Sequence, residues 1–249
     1  MNPVMRWLHW FGAPENFHRF AGRWAPWLYL AALPLLAFGL YYALFGVPAD
    51  YQQGDSYRIL FVHVPSAWMS LFIYGVMAVN AFIALVWRIK LSETLAMSCA
   101  PIGAAFTFIT LATGSLWGKP MWGTWWEWDA RLTSELVLLF LYFGVMGLNA
   151  AIEDRRAAAR AACFLALIGA INVPIVHFSV EWWNTLHQGA TIKLFKKSTM
   201  DASMVLPLIA LTFATKLWFT ASLLARTRAA MFEQESGKDW ARRVAEEGR

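Results

Sequence analysis

Six long apolar runs constrain the fold of this chain more than any other feature. A hydrocarbon core about 30 Å thick is crossed by about 20 consecutive apolar residues in a helix. The sequence contains six runs of about this length, each bounded by polar or charged residues: 24–47, 64–87, 95–117, 132–152, 161–180 and 202–225. It is also 59% hydrophobic, against roughly 45–50% in an ordinary soluble domain. We therefore expect an all-α integral membrane protein with six transmembrane helices, in a single domain covering residues 1–249.

Lysine and arginine indicate the orientation of these helices, because positive residues near a span are retained on the cytoplasmic side. With both termini cytoplasmic, 14 of the 21 Lys and Arg residues lie inside, six lie outside, and Lys216 falls within the sixth run. This orientation makes 118–131 and 181–201 outer loops and 226–249 a cytoplasmic tail. The net charge of +5 then reflects contact with membrane lipid, and nucleic acid is not an expected partner.

The outer loop 118–131 contains an unusual cluster of tryptophans in the sequence WGTWWEWD. The cluster comprises Trp122, Trp125, Trp126 and Trp128. Tryptophan often anchors helices at the membrane interface, which is the simplest explanation for an isolated one. Four within seven positions give more flat apolar surface than anchoring requires. Such a surface favours a large planar ligand with apolar faces and an anionic edge.

Two histidines point to haem as this ligand. His63 lies at the outer mouth of the second run and His187 in the last outer loop, so the topology places both on the face that carries the tryptophans. Neutral imidazole is a common axial ligand of haem iron. His177, near the end of the fifth run, is a weaker candidate. Since no CxxCH motif occurs, the haem is expected to be haem b, held non-covalently and exchangeably.

Other charged residues near the outer face have predicted roles. Arg58 and Arg131 are candidates to pair with the haem propionates, with Lys119 a weaker choice. Their alternative role is ordinary charge flanking a span. Asp129 is counted among the residues of the haem site and is also a predicted N-cap of the fourth helix, fixing the angle at which the tryptophan loop leaves the membrane. Glu135, inside the fourth run, has Arg131 as a possible partner, whereas Lys216 in the sixth has no evident one.

Three segments together resemble the WWD family of haem-handling membrane proteins, and within it the haem exporter C (CcmC) family of cytochrome c maturation. They are RILFVHVPSAW, APIGAAFTFITLATGSLWGKPMWGTWWEWDARLTSELVLLFLYFG and VEWWNTLHQG. The resemblance implies that His63 and His187 are axial ligands of haem at the periplasmic face of the inner membrane. It also implies delivery of haem to the periplasmic chaperone CcmE, with the ATP-binding cassette subunits CcmA and CcmB and the small membrane protein CcmD as partners.

These patterns predict haem binding and transfer rather than catalysis, and no catalytic residue is expected. Without a GxxxxGK[ST] phosphate loop in the chain, ATP hydrolysis must belong to a partner. One alternative is an electron-transfer cytochrome with haem buried within the bilayer, which the outer position of both histidines disfavours. Another is a subunit of a transporter for haem or a small solute, in which Pro101, Pro174 and Pro207 mark broken helices.

Overall fold

The computed structural model describes residues 12–187 and 200–247, and these residues fold into a bundle of long helices. In chain order the helices are α1 (Pro14–Tyr41), α2 (Leu60–Trp87), α3 (Lys90–Trp122), α4 (Ala130–Ala151), α5 (Arg155–Gly169), α6 (Asn172–Trp182), α7 (Ala202–Gln234) and α8 (Asp239–Glu247). A π-helical turn, Tyr42–Gly46, extends α1, and a 3-10 turn, Asp55–Ile59, precedes α2. With α5 and α6 counted as one span, six segments of the described residues are long and apolar enough to cross a membrane. The predicted all-α, six-span fold class is confirmed.

Several helices extend beyond the apolar runs that predicted them. Helix α1 begins at Pro14 rather than at residue 24, and α7 continues to Gln234 rather than ending at 225. Counting apolar residues locates only the part of a helix inside the hydrocarbon. The start of α1 follows instead from Pro14, whose missing N–H is tolerated in the first turn, and from Glu15, which complements the positive end of the helix.

The fifth span is interrupted, so that α5 and α6 meet at Ala170 and Ile171. The amides of these two residues bond three residues back, to Leu167 and Ile168, rather than four. Pro174 has no N–H to give to the Ala170 carbonyl, which explains why the regular α-helical ladder fails at this point.

Close helix packing depends on small residues at the crossings. A Cβ built on Gly103 in α3 would lie 2.1 Å from the Tyr142 ring, so only glycine lets this tyrosine cross from α4. The Tyr142 hydroxyl then donates to the Ser70 carbonyl in α2, 2.8 Å away. Small residues are typical at contacts between membrane helices for this reason. The main core lies among α2, α3, α4 and α5, while α1 packs chiefly along α7.

The bundle has two distinct ends. The end that we call the tryptophan end includes the ends of α1, α3 and α6 and the beginnings of α2, α4 and α7. The opposite end, called the tail end, includes the two-residue turn Arg88–Ile89 and helix α8. Lys90 donates to Glu235 there at 2.6 Å, and this bond lowers the pKa of the Glu235 carboxyl.

The predicted loop boundaries change at both ends. Helix α3 runs through Trp122 and is closed by Gly123, whose φ of 78° suits glycine and whose N–H bonds to the Lys119 carbonyl. The first part of the predicted loop 118–131 is therefore helical. Of the predicted loop 181–201, residues 188–199 lie outside the described residues. In the predicted tail 226–249, α7 continues to Gln234 and α8 follows.

Candidate functional site

His63 lies near the start of α2 and is held by a hydroxyl group of α3. Its Nδ1 is 3.0 Å from Thr113 Oγ1. The same oxygen lies 2.6 Å from the carbonyl oxygen of Ile109. Two oxygens this close repel each other unless a proton lies between them, so the one hydroxyl proton of Thr113 points at that carbonyl. Thr113 must then accept from His63. In the neutral imidazole the proton is on Nδ1, and Nε2 keeps its lone pair.

The His63 ring is also fixed by its packing. It makes an edge contact with the Trp117 ring, at a centroid distance of 5.8 Å and an interplanar angle of 73°. Trp117 Nε1 donates to Gln53 Oε1 at 3.0 Å, which ties this tryptophan to the segment before α2. On the other side, a Cβ on Gly114 would lie 3.2 Å from the imidazole Cε1. Sequence analysis missed Thr113, Gly114 and Trp117 as neighbours of His63.

His187 is held by the carboxylate that begins α4. Its Nδ1 lies 2.9 Å from Asp129 Oδ2, while Asp129 Oδ1 accepts the Leu132 N–H at 2.7 Å. The predicted N-cap is thus confirmed, and the second carboxylate oxygen has a role that the sequence did not reveal. An ionised carboxylate only accepts hydrogen bonds, so Nδ1 carries the proton and Nε2 keeps its lone pair. Nothing local in the sequence links two residues 58 positions apart.

The surroundings of His187 favour its neutral form. Burial lowers the pKa of this imidazole below its usual value, and the carboxylate of Asp129 only partly opposes the shift. A lowered pKa favours the neutral form of the ring. The nearby charge of Arg131 contributes to this lowering. Arg131 is therefore a cation within electrostatic reach of His187.

The tryptophans do not form the single flat surface that the sequence suggested. Trp122 ends α3 and contacts the His187 ring edge-on, with the centroids 4.9 Å apart. Trp126 is partly buried against the core and lies nearly perpendicular to Trp128, at 75°. Trp128 and Trp125 are exposed, by 75% and 55%. The difference arises because the end of α3 and the 123–129 loop direct neighbouring indoles into different environments.

Three predicted propionate partners have different surroundings. Arg58 donates to the Ala43 carbonyl at 2.6 Å and the Val47 carbonyl at 2.9 Å, and its Nε pairs with Asp55. Its guanidinium thus fastens the end of the first span, and its propionate role stays a prediction. Lys119 donates to the Gly123 carbonyl and lies over the Trp125 ring. By contrast, Arg131 makes one long contact, 3.5 Å, with the Val176 carbonyl. Within the described part of the chain, the Arg131 side chain has the fewest hydrogen bonds and ring contacts of the three.

The remaining polar residues of the spans have other partners. Glu135 accepts from Ser70 Oγ at 2.7 Å, and among the described residues no ion pair joins it to Arg131, so the possible direct pairing is not formed. The Lys216 ammonium lies 5.4 Å from the centre of the Phe72 ring. His177 is exposed and contacts the neighbouring Phe178.

The fold and this arrangement define a class of protein: a six-span membrane protein with two fixed histidines near one end of its bundle. Each histidine has its Nδ1–H bound and its Nε2 unprotonated, which is the state of most metal-ligating histidines. Two such nitrogens match the two axial positions of a haem iron, and Arg131 offers charge to an anionic edge. The residues present therefore fit haem.

Comparison with known proteins identifies the family. Residues 7–242 match the family model described as "Heme exporter protein C". The Escherichia coli (strain K12) protein of that name is 51% identical over 233 residues, 94% of each chain. The Haemophilus influenzae protein is 45% identical over 243 residues, covering 98% of this chain and 99% of the relative. A "putative cytochrome c biosynthesis ccmC-like mitochondrial protein" of Marchantia polymorpha is 46% identical over 186 residues, 75% of this chain and 78% of the relative.

This chain belongs to the haem exporter protein C (CcmC) family. The resemblance noted from the three sequence segments is thereby confirmed. Together with the six apolar spans, its bacterial relatives make it a multi-pass protein of the inner membrane.

Proposed function

We propose that this protein binds haem at its tryptophan end, with His63 and His187 as axial ligands, and passes it to the periplasmic chaperone CcmE. The observation that carries the proposal is that both imidazoles are protonated on Nδ1 and unprotonated on Nε2. Each is fixed through Nδ1, one by Thr113 and one by Asp129, so each retains a lone pair on Nε2. Second contacts of this kind orient metal-ligating histidines and raise their basicity.

The distribution of charge supports a periplasmic position for this site. Lysine and arginine are concentrated at the tail end, which the positive-inside rule assigns to the cytoplasm. The tryptophan end then faces the periplasm, where a chaperone is able to reach it. Exposed Trp125 and Trp128 give that end apolar surface for a transient contact with the partner.

In this proposal the chain holds and transfers haem, and other subunits supply the energy. The CcmA and CcmB subunits of an ATP-binding cassette complex would hydrolyse ATP, with CcmD as a further membrane subunit. Haem b would be the cargo, held without a covalent bond so that it remains transferable. Arg131 is placed to pair with a propionate, since its guanidinium has donors to spare.

The test is haem retention and transfer by single-histidine variants. His63→Ala and His187→Ala should each lower the haem content of the purified protein at least about tenfold, the usual scale for disturbing a metal site. Both should also abolish the loading of CcmE in cells that contain the other subunits. His177→Ala is the matched control, because His177 lies near the same end but is exposed. The haem content of this variant should equal that of wild type. An unchanged haem spectrum in either site variant would remove that histidine from the proposal.

A further inference from the structure

We propose a second ligand site, for an anionic phospholipid, in a cavity between α1 and α7 at the tail end. This site is separate from the proposed haem site and goes beyond the proposed function. It follows from a cavity with one apolar section and one basic section, and from a buried histidine donor that has no acceptor.

The cavity is elongated and changes character along its length. An apolar section of about 400 Å³ is lined mainly by Ala21, Ala25, Pro26, Tyr29, Ala225 and Phe232. A polar section of about 510 Å³ adjoins it and includes Glu15, Arg19, Trp240 and Arg243. Both sections share His18, Gly22 and Arg228. These three residues therefore mark the junction between the apolar and polar parts.

The proton of His18 can be placed from its neighbour. His18 is only 7% exposed, and Arg228 Nε lies 3.2 Å from its Nε2. A guanidinium only donates, so Nε2 is the acceptor and the proton of the neutral ring lies on Nδ1. That Nδ1 is buried and has no hydrogen-bond partner among the described residues. A buried donor without an acceptor is costly, and a ligand oxygen that reached Nδ1 on binding would remove this cost.

The cavity also holds positive charge that the described part of the chain does not balance. Arg19 and Arg243 both pair with Glu15, whereas none of the described carboxylates pairs with Arg228. The guanidinium of Arg228 packs against Gly22, where an added Cβ would lie 2.9 Å from Cζ. The missing side chain thus makes room for the cation inside the cavity. Arg228 and His18 together offer N–H donors and positive charge to an anion.

The position of the two sections selects a phospholipid among anionic ligands. From His18 to Tyr29 the apolar section follows α1 towards the bilayer for about 16 Å at the helical rise of 1.5 Å per residue. The polar section extends the other way, towards α8. A phosphate beside Arg228 would therefore place an acyl chain along the apolar section. Basic pockets between membrane helices on the cytoplasmic side bind anionic headgroups in this manner.

Native mass spectrometry of the full-length protein in detergent tests this site. Wild type should retain one phosphatidylglycerol more tightly than phosphatidylcholine, whose headgroup has no net charge. Arg228→Gln should weaken this retention about tenfold or more, the loss expected when a charge-assisted bond of about 1.5–3 kcal/mol is removed. The matched control is Arg226→Gln, which removes the same charge from an exposed position of α7 and should retain the lipid as wild type does.

A second variant separates the site from effects on folding. Ala225→Leu narrows the apolar section without changing charge, so it should also lower phosphatidylglycerol retention while the protein elutes as wild type in gel filtration. Equal retention in wild type and Arg228→Gln, or equal losses in Arg228→Gln and Arg226→Gln, would overturn the proposal. So would full displacement of the lipid by inorganic phosphate, which would indicate a soluble anion, or occupancy by haem in place of lipid. Apart from occupancy by haem, none of these results bears on haem binding at the tryptophan end.

Discussion

The two ends of the bundle use histidine in opposite ways. At the tryptophan end, His187 donates from Nδ1 to Asp129 and keeps a lone pair on Nε2. At the tail end, His18 accepts from Arg228 at Nε2 and keeps a proton on Nδ1. Both side chains are largely shielded from solvent. Burial therefore does not decide what a histidine offers to a ligand; the charge sign of its neighbour does.

This difference assigns opposite ligands to the two ends. An imidazole backed by a carboxylate supplies an electron pair, which suits a metal. An imidazole bonded to a guanidinium supplies a proton and lies beside a positive charge, which suits an anion. The protein thus separates its proposed haem site from its proposed lipid site by the full depth of the membrane.

The largest effect on this comparison is expected from Asp129→Ala. The change leaves Nδ1 of His187 without its acceptor, so haem affinity should fall about 10- to 100-fold, as is usual when a metal-ligating histidine loses its partner. Loss of the N-cap of α4 should also cost about 1 kcal/mol of stability. Haem titration of the purified variant measures the first effect.

Asp201→Ala is the matched control, because Asp201 caps α7 through Ser203 at the same end and contacts no histidine among the described residues. Its haem affinity should stay within about twofold of wild type, since a cap contributes only to helix stability. If both variants lost haem equally, the role of Asp129 would be capping alone and the contrast with His18 would fail.

A smaller effect is expected from Thr113→Val, which keeps the shape of the side chain but removes the acceptor of His63. Losing one neutral hydrogen bond of about 1 kcal/mol should weaken haem binding about fivefold. Thr212→Val is the control, since Thr212 makes the same bond to the carbonyl four residues back without a histidine. Equal haem affinities of the two variants would mean that Thr113 does not orient His63.

The smallest effect is expected from Gly114→Ala. The new Cβ would lie 3.2 Å from Cε1 of His63, so the ring must shift by a few tenths of an ångström. We expect about a twofold loss of haem affinity, since catalytic and binding geometry tolerates only about 0.5 Å. Gly75→Ala, where an added Cβ meets nothing within 4 Å, should have no effect. If Gly75→Ala shifted the haem absorption spectrum and Gly114→Ala did not, haem binding would depend on packing elsewhere in α2 rather than on the contact between Gly114 and His63.

The sequence predicts the fold well because membrane crossing imposes a length and a composition on each helix. It also places His63 and His187 on one face, since helix count and the alternation of loops settle that without detailed packing. The interruption of the fifth span is harder to predict, because membrane helices tolerate proline and its presence alone does not show whether the helix breaks.

Partners brought together across the bundle are beyond the reach of sequence patterns. The bond of His187 to Asp129 and that of His18 to Arg228 join residues 58 and 210 positions apart. Arg58 shows the same limit from the other direction. Its position before His63 predicts a propionate contact, which stays a prediction, but nothing in the sequence shows that its guanidinium also binds the carbonyls that end the first span.

The central claim, that haem binds at the tryptophan end, is tested most directly by measuring the distance from the haem iron to a spin label. Nitroxides are attached to Asn184→Cys at the tryptophan end or Gly237→Cys at the tail end, both exposed positions, while the native Cys99 and Cys163 are buried. Pulsed dipolar spectroscopy on the ferric haem-loaded protein should give less than about 25 Å to residue 184 and more than about 30 Å, the hydrocarbon thickness, to residue 237. A haem iron closer to residue 237 would contradict the account.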